Sequence, residues 1–140
     1  MLCFSKKIKY GLQFLLFLDV DSEDYTDIQR ASLSCDIPHK FLEGIAVSLK
    51  KKGILEVKRG AGGGYRLLHP AKEITLGQIV EALDSVSSKS TVKNNELTNQ
   101  VVEETLNSTI DEFWKVMHNI SLHQIQQKYY ESADKLMYYI

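Results

Sequence analysis

The sequence predicts a mainly α-helical chain with one small β-hairpin, and three observations carry that expectation. Apolar residues recur at spacings of three and four along most of the chain, as in helices that bury one face. Between residues 54 and 68 two short alternating runs flank a glycine-rich tip, as in a hairpin. At 140 residues there is room for one hydrophobic core plus an appendage.

Ser5 is a good N-cap; three lysines follow it, then Leu12, Leu15, Leu16 and Leu18. This predicts an amphipathic helix over 5–18 whose first turns are basic. Asp19 to Asp24 read as an acidic turn. Thr26 is expected to cap a short helix ending near Cys35 and Asp36. Pro38 suits the first position of the next helix, where its missing N–H costs nothing. Phe41, Leu42, Ile45 and Leu49 form that helix's inward face, and Lys50, Lys51 and Lys52 complement its dipole before Gly53 stops it. Ile54–Lys58 and Tyr65–Leu68 are the two strands. Thr75 with Gln78 forms a capping-box signature for a helix over 76–83. Residues 85–95, SVSSKSTVKNN, are small and polar without periodicity and read as a linker or loop. Leu97, Val101, Leu106, Ile110, Phe113, Met117 and Ile120, with Trp114 beside them, then mark a long helix. The tyrosine-rich tail from Leu122 reads as a short terminal helix. The chain thus divides into 1–84, a linker at 85–95, and 96–140.

Composition excludes several classes. The longest apolar stretch, near Phe14 to Leu18, is too short to span a bilayer, and no small-residue cleavage site follows it. The two cysteines, Cys3 and Cys35, form no CxxC pair, which argues against a disulfide framework or structural zinc and for a cytoplasmic protein. Net charge is −1, but residues 1–72 carry +4 and residues 73–140 carry −5. A basic first half suits a polyanionic partner. No Ser-His-Asp or paired-carboxylate arrangement stands out, so no enzyme is indicated.

The tight turn at Asp36-Ile37-Pro38 joins two helices in a helix-turn-helix pattern, and the hairpin follows at once. Its tip reads Lys58-Arg59-Gly60-Ala61-Gly62-Gly63-Gly64-Tyr65. A phosphate loop would need Gly-Lys-Ser/Thr after its glycines, and Tyr65-Arg66 stands there instead. A dinucleotide fingerprint fails because Tyr65 occupies its third glycine position. The remaining readings are a plain hairpin needing positive φ, which one or two glycines would satisfy, and a wing. In a wing the bare backbone at Gly60 and Gly62 lies close to a DNA groove and Arg59 enters it. Four glycines beside Lys-Arg favour the wing.

The helix after Pro38 is then a recognition helix presenting His39, Lys40 and Glu43 outward. Lys40 can donate to guanine or to phosphate, and Glu43 can accept from cytosine N4; both could equally be a solvated helix face. Ser5, Lys6, Lys7 and Tyr10 are candidate phosphate contacts. The stripe Leu106, Ile110, Phe113, Trp114 and Met117 would be exposed in a monomer and is expected to dimerise, with packing onto the first helix as the alternative.

Three segments, FSKKIKYGLQFLLFL, IPHKFLEGIAVSLKKKGILEVKRGAGGGYRL and EITLGQIVEALD, run in order from Phe4 to Asp84. They resemble the Rrf-two family of winged helix-turn-helix regulators. The resemblance implies a winged-helix domain, a long dimerisation helix and pseudo-palindromic promoter sites. It places Lys40 and Glu43 on the recognition helix and Arg59 and Gly60 on the wing. Cluster-binding members carry three closely spaced cysteines before the dimerisation helix. Asp84 to Leu106 contains none here, so no iron–sulfur cluster and no other cofactor is expected. Asp36 also stands where the family's turn often has glycine.

The function that follows is a sequence-specific regulator of transcription, a repressor acting as a homodimer on double-stranded DNA. The alternative is a winged-helix module that binds a partner protein through its acidic half. Cys35 could be a redox-sensing thiol or a small buried hydrophobe. His118 and His123, five apart, are poorly spaced for a metal. Tyr129, Tyr130, Tyr138 and Tyr139 could line an effector pocket or pack the tail.

Overall fold

A computed structural model of the chain describes residues 3–21, 24–84 and 96–138. The expected linker at 85–95 and Tyr139 lie outside the described residues. The elements are α1 (Lys6–Asp21), α2 (Ile28–Cys35), α3 (His39–Lys51), β1 (Leu55–Lys58), β2 (Gly64–Leu67), a 3-10 turn (Ala71–Glu73), α4 (Leu76–Leu83), α5 (Leu97–His118) and α6 (Leu122–Tyr138). The mainly helical fold with one hairpin is as the sequence predicts.

One core serves all of these elements. Ile8, Phe14, Leu15 and Leu18 of α1 meet Leu42, Ile45, Ala46 and Leu49 of α3 and Ile79, Val80 and Leu83 of α4. Met117 and Leu122 join the same cluster, so the carboxy-terminal helices are anchored to the amino-terminal part. Each large apolar side chain so buried contributes about 1.5–3 kcal/mol relative to exposure.

Local chemistry sets the element boundaries. Ser5 caps α1, its Oγ accepting from Ile8 N–H at 3.4 Å. Asp36 ends α2 in the left-handed region, φ 53° and ψ 47°, with its N–H donating to Ser32 C=O. Asp is among the few residues apart from Gly that adopt this conformation readily, so the missing glycine does not disturb the turn. Ser32 Oγ donates to Ile37 C=O at 2.6 Å and ties the turn back to α2. The Thr75–Gln78 capping box forms in full.

Four expectations about the elements need correction here. Thr26 does not cap α2. It is buried (1% exposed) and exchanges backbone hydrogen bonds with Tyr65, so Asp27 takes the N-cap position without a side-chain bond. Pro38 stands one residue before α3, extended at ψ 131°, and its C=O accepts from Leu42 N–H at 3.0 Å. Phe41 is not inward: it is 42% exposed. The tail is not a short helix but the 17-residue α6. Its start carries a second capping box, Gln124 N–H to Ser121 Oγ at 3.2 Å and Ser121 N–H to Gln124 Oε1 at 3.0 Å.

Candidate nucleic-acid interface

Beyond the shared core, an aromatic contact links α1 to the start of α3. The Tyr10 and Phe41 rings meet edge to face, centroids 5.4 Å apart. Phe41 leaves the core because it closes this seam between the two helices. Lys6 is exposed and Lys7 half-buried on α1; His39, Lys40 and Glu43 are exposed on α3. Tyr10 is packed against the core, which places it as a spacer more than as a free donor. The Ser5 hydroxyl, besides capping, donates to Asp84 Oδ2 at 3.3 Å.

On α3, His39 Nδ1 lies 3.4 Å from Glu43 Oε1. Lys40 stands between them in sequence with its side chain in solvent. Pro38, at the N-cap position of α3, has no side-chain oxygen to offer and makes no cap bond. The first N–H groups of α3 are therefore left for solvent or an anion, at the positive end of the helix dipole. Sequence reasoning missed this feature, although proline at that position was the signal.

The hairpin pairs antiparallel, with Leu55 opposite Leu67 and Lys58 opposite Gly64. Its tip exposes Arg59, Gly60 and Gly62. Gly60 and Gly62 have φ of 90° and 72°, and a Cβ at either would meet nothing within 4 Å. Gly63 is crowded by the Lys58 and Gly60 carbonyls, and Gly64 by Thr26. Hairpin geometry therefore uses all four glycines, and their number does not by itself distinguish a wing from a plain hairpin. The tip's character rests on the exposed Arg59. Tyr25, ahead of α2, braces the hairpin: Arg66 lies over its ring at 4.4 Å and pairs with Glu56, while Lys58 Nζ lies 5.7 Å from the same ring. The structure thus brings Tyr10 of α1 to Phe41 of α3, while Ser5 is bonded to Asp84, and the hairpin has its own brace in Tyr25.

A second surface runs along α5. Val102, Leu106, Ile110, Phe113 and Val116 are between 43% and 59% exposed and follow one another at three and four residues. Met117, grouped with these from sequence, is instead 2% exposed in the chain's own core. The helix rotates its next apolar position inward at the point where it meets α4. Trp114 is half-buried and packs against that core, 5.8 Å from the His118 ring. Phe113 also stacks on Phe4 at 6.2 Å.

Burial raises the Cys35 thiol above its ordinary pKa, which disfavours the nucleophilic thiolate. Its contacts are those of a small hydrophobe. Tyr129 and Tyr130 meet edge to face at 5.6 Å and remain nearly half exposed, and Tyr138 is 88% exposed. No described helix is long and apolar enough to cross a membrane.

The Rrf2 family profile, described as an iron-dependent transcriptional regulator, matches residues 4–128. The HTH-type transcriptional regulator IscR of Cereibacter sphaeroides is 32% identical over 83 residues, covering 57% of this chain and 54% of the relative. The chain spans about half the length of the curated relatives it matches. Among solved structures, CymR, the global cysteine regulator of B. subtilis, superposes with a TM-score of 0.71 at 24% identity over 91% of this chain and 98% of the other. IscR of T. potens superposes with a TM-score of 0.73 at 24% identity over 94% and 90%. At that identity the structures speak for the fold, a winged helix-turn-helix with long carboxy-terminal helices.

The profile's description names iron, and the donors of this chain do not fit a thiolate-bound cluster. Its two cysteines stand at 3 and 35, and residues 85–95 contain no Cys, His, Asp or Glu. Among the described residues no three such side chains are grouped to hold a metal.

Proposed function

The chain belongs to the Rrf2 family of HTH-type transcriptional regulators, and from that membership we propose that it binds double-stranded DNA sequence-specifically, as a homodimer, and represses transcription from pseudo-palindromic operators. The Tyr10–Phe41 contact supports this reading most directly, because it sets the lysine-bearing start of α1 beside the uncapped start of α3. In this reading α3 lies in the major groove. Lys40 donates to guanine or phosphate, Glu43 accepts from cytosine, and His39 is steered by Glu43. Lys6, Lys7 and the first N–H groups of α3 hold phosphates and fix the register. Arg59 enters the adjacent minor groove, where the bare backbone at Gly60 and Gly62 allows close approach.

Two copies joined along α5 would present two recognition helices about 34 Å apart, one turn of DNA, or a multiple of it. The apolar row Leu106, Ile110 and Phe113 supports that arrangement, since isolated exposure of such a stripe is costly. A cytoplasmic protein without a bound cluster completes the reading. Stoichiometric iron with visible absorbance after anaerobic purification would refute the last point.

The deciding experiment is genomic-DNA capture and sequencing with wild type beside Arg59→Ala at near-physiological salt. The expected result is enrichment of a pseudo-palindromic site that the variant loses or enriches far less. Uniform weak capture, unchanged by the substitution, would refute the reading and favour a protein-binding module.

A further inference from the structure

Away from the α1–α3 seam, an open cleft of about 340 Å³ lies where the end of α3, the exit of the hairpin, the 3-10 turn and α4 converge. Pockets for small ligands begin at about this size. Charges of opposite sign line it from different elements: Lys52 from the end of α3, against Glu73 from the 3-10 turn and Glu81 from α4, with the His69 imidazole, from beyond β2, as a further polar group. Ile54 and Ile74, both almost fully buried, give the cleft an apolar floor. Gln78, whose carbonyl oxygen accepts from Thr75 N–H, also lines the cleft.

That charge arrangement selects its occupant. A simple anion drawn to Lys52 would meet two carboxylates, and a simple cation drawn to Glu73 and Glu81 would meet the ammonium of Lys52. A molecule carrying both charges satisfies both sides. We propose that this cleft binds a free α-amino acid, its carboxylate toward Lys52 and His69 and its ammonium toward Glu73 and Glu81, as the effector of the regulator.

The cleft has a path to both functional surfaces. Lys52 closes the carboxy-terminal end of α3. Glu81 accepts from His118 Nε2 at 3.2 Å, and the His118 ring lies tilted against Trp114 on α5. A ligand ammonium at Glu81 competes with His118 for the same carboxylate. Binding therefore biases the junction of α4 with α5, and by linkage DNA changes the ligand's affinity by the same factor. This consequence rests on the regulator reading; the binding site itself does not.

The test is calorimetric titration of the full chain with each of the twenty standard amino acids, then of any binder as its N-acetyl and carboxamide derivatives. Lys52→Ala and Glu73→Gln are titrated in parallel after circular dichroism confirms that they fold. The expected result is saturable binding of at least one amino acid, weakened about tenfold or more by either substitution and by either blocking group. Absence of any binding up to about 10 mM, a range that would still reveal an affinity weaker than 1 mM, would overturn the proposal. So would binding that both variants retain unchanged. Operator affinity measured on the same samples separates the two readings: amino-acid binding without specific DNA binding leaves the cleft standing and removes the regulator, and the converse removes the cleft alone.

Discussion

Thr75 and Ser121 face each other across an antiparallel bridge, and each opens a helix. Leu76 N–H donates to Ile120 C=O and Leu122 N–H to Ile74 C=O, both at 2.8 Å. Two capping boxes, Thr75 with Gln78 and Ser121 with Gln124, are thereby clamped side by side. The clamp starts α4 and α6 at a common point and sets Leu122 into the core. Ser121→Ala removes one cap and should lower stability by about 1 kcal/mol. Ser121→Asp, which can also cap, should recover most of that loss. Urea denaturation of the two variants reads the difference; equal loss in both would mean the cap contributes nothing.

His118 sits over Gly77, where a Cβ would overlap the imidazole. The ring is anchored at both nitrogens, Nε2 to Glu81 at 3.2 Å and Nδ1 to Thr75 Oγ at 3.4 Å. The Nε2–H tautomer satisfies both contacts, since Nδ1 can then accept from the threonine hydroxyl. Gly77→Ala should displace the ring and lower stability by about 1–2 kcal/mol. In a His118→Ala background the same change should be neutral or stabilising by up to about 1 kcal/mol, because alanine is the better helix former. Additive effects across this double-mutant cycle would show that the ring does not occupy that space.

Much of this was legible in the sequence because it depends on local chemistry. Ser5, the Thr75–Gln78 box, the Lys-rich end of α3 and the glycine tip each announce their element through residues within one turn. Thr26 misled because its partner, Tyr65, lies 39 residues away, and a strand pairing at that separation leaves no local mark. Phe41 and Met117 were misplaced for a related reason. Periodicity defines a stripe but not where a neighbouring helix covers it, so one apolar residue turned outward to Tyr10 and another inward to the core. The start of α6 was legible and overlooked, since Ser121-Leu122-His123-Gln124 repeats the pattern recognised at Thr75. In the site, residue types located the exposed cations. The uncapped start of α3 was legible in Pro38 and overlooked, whereas the charge-paired cleft depends on contacts between elements, which spacing does not reveal.

The hairpin's attachment gives a third prediction. Gly64 has φ 149°, and a Cβ there would strike the Thr26 carbonyl. Gly64→Ala should break the Thr26–Tyr65 pair and cost roughly 2–4 kcal/mol. Hydrogen exchange should show Thr26 and Tyr65 amides losing protection together, while those of α4 keep theirs. Retained protection at both amides would mean the backbone absorbs the new methyl elsewhere.

Asp19 on α1 supplies a pH dependence. Burial raises its carboxyl above the ordinary value, with His123 on α6 offsetting part of the shift, and its Oδ2 is buried with no hydrogen-bond partner. The folded chain therefore holds this proton more tightly than the unfolded chain. Its favourable contribution is complete below the ordinary carboxyl pKa and is lost as pH rises through the folded value. Asp19→Asn should remove that decline, so the variant gains on wild type as pH rises from the ordinary carboxyl value, about 3.8, toward neutrality. Chemical denaturation at several pH values checks the sign; parallel curves for the two proteins would remove Asp19 as the source.

The proposed interface makes a prediction about salt that separates positioning from reading. Each phosphate neutralised should contribute about −0.9 to the slope of log affinity against log salt. Lys6→Ala and Lys7→Ala should each flatten the slope by about that amount and weaken operator and random DNA alike. Lys40→Ala has two possible signatures. Loss confined to operator DNA would mean a base contact, and equal loss on both DNAs a phosphate contact. Glu43→Gln removes a charge that repels phosphate, so it should tighten binding to random DNA while relaxing choice at one base pair. Anisotropy titrations at four salt concentrations resolve these outcomes. If all four substitutions leave both slope and discrimination unchanged, DNA does not meet these side chains of α1 and α3, and the Tyr10–Phe41 contact serves the fold alone.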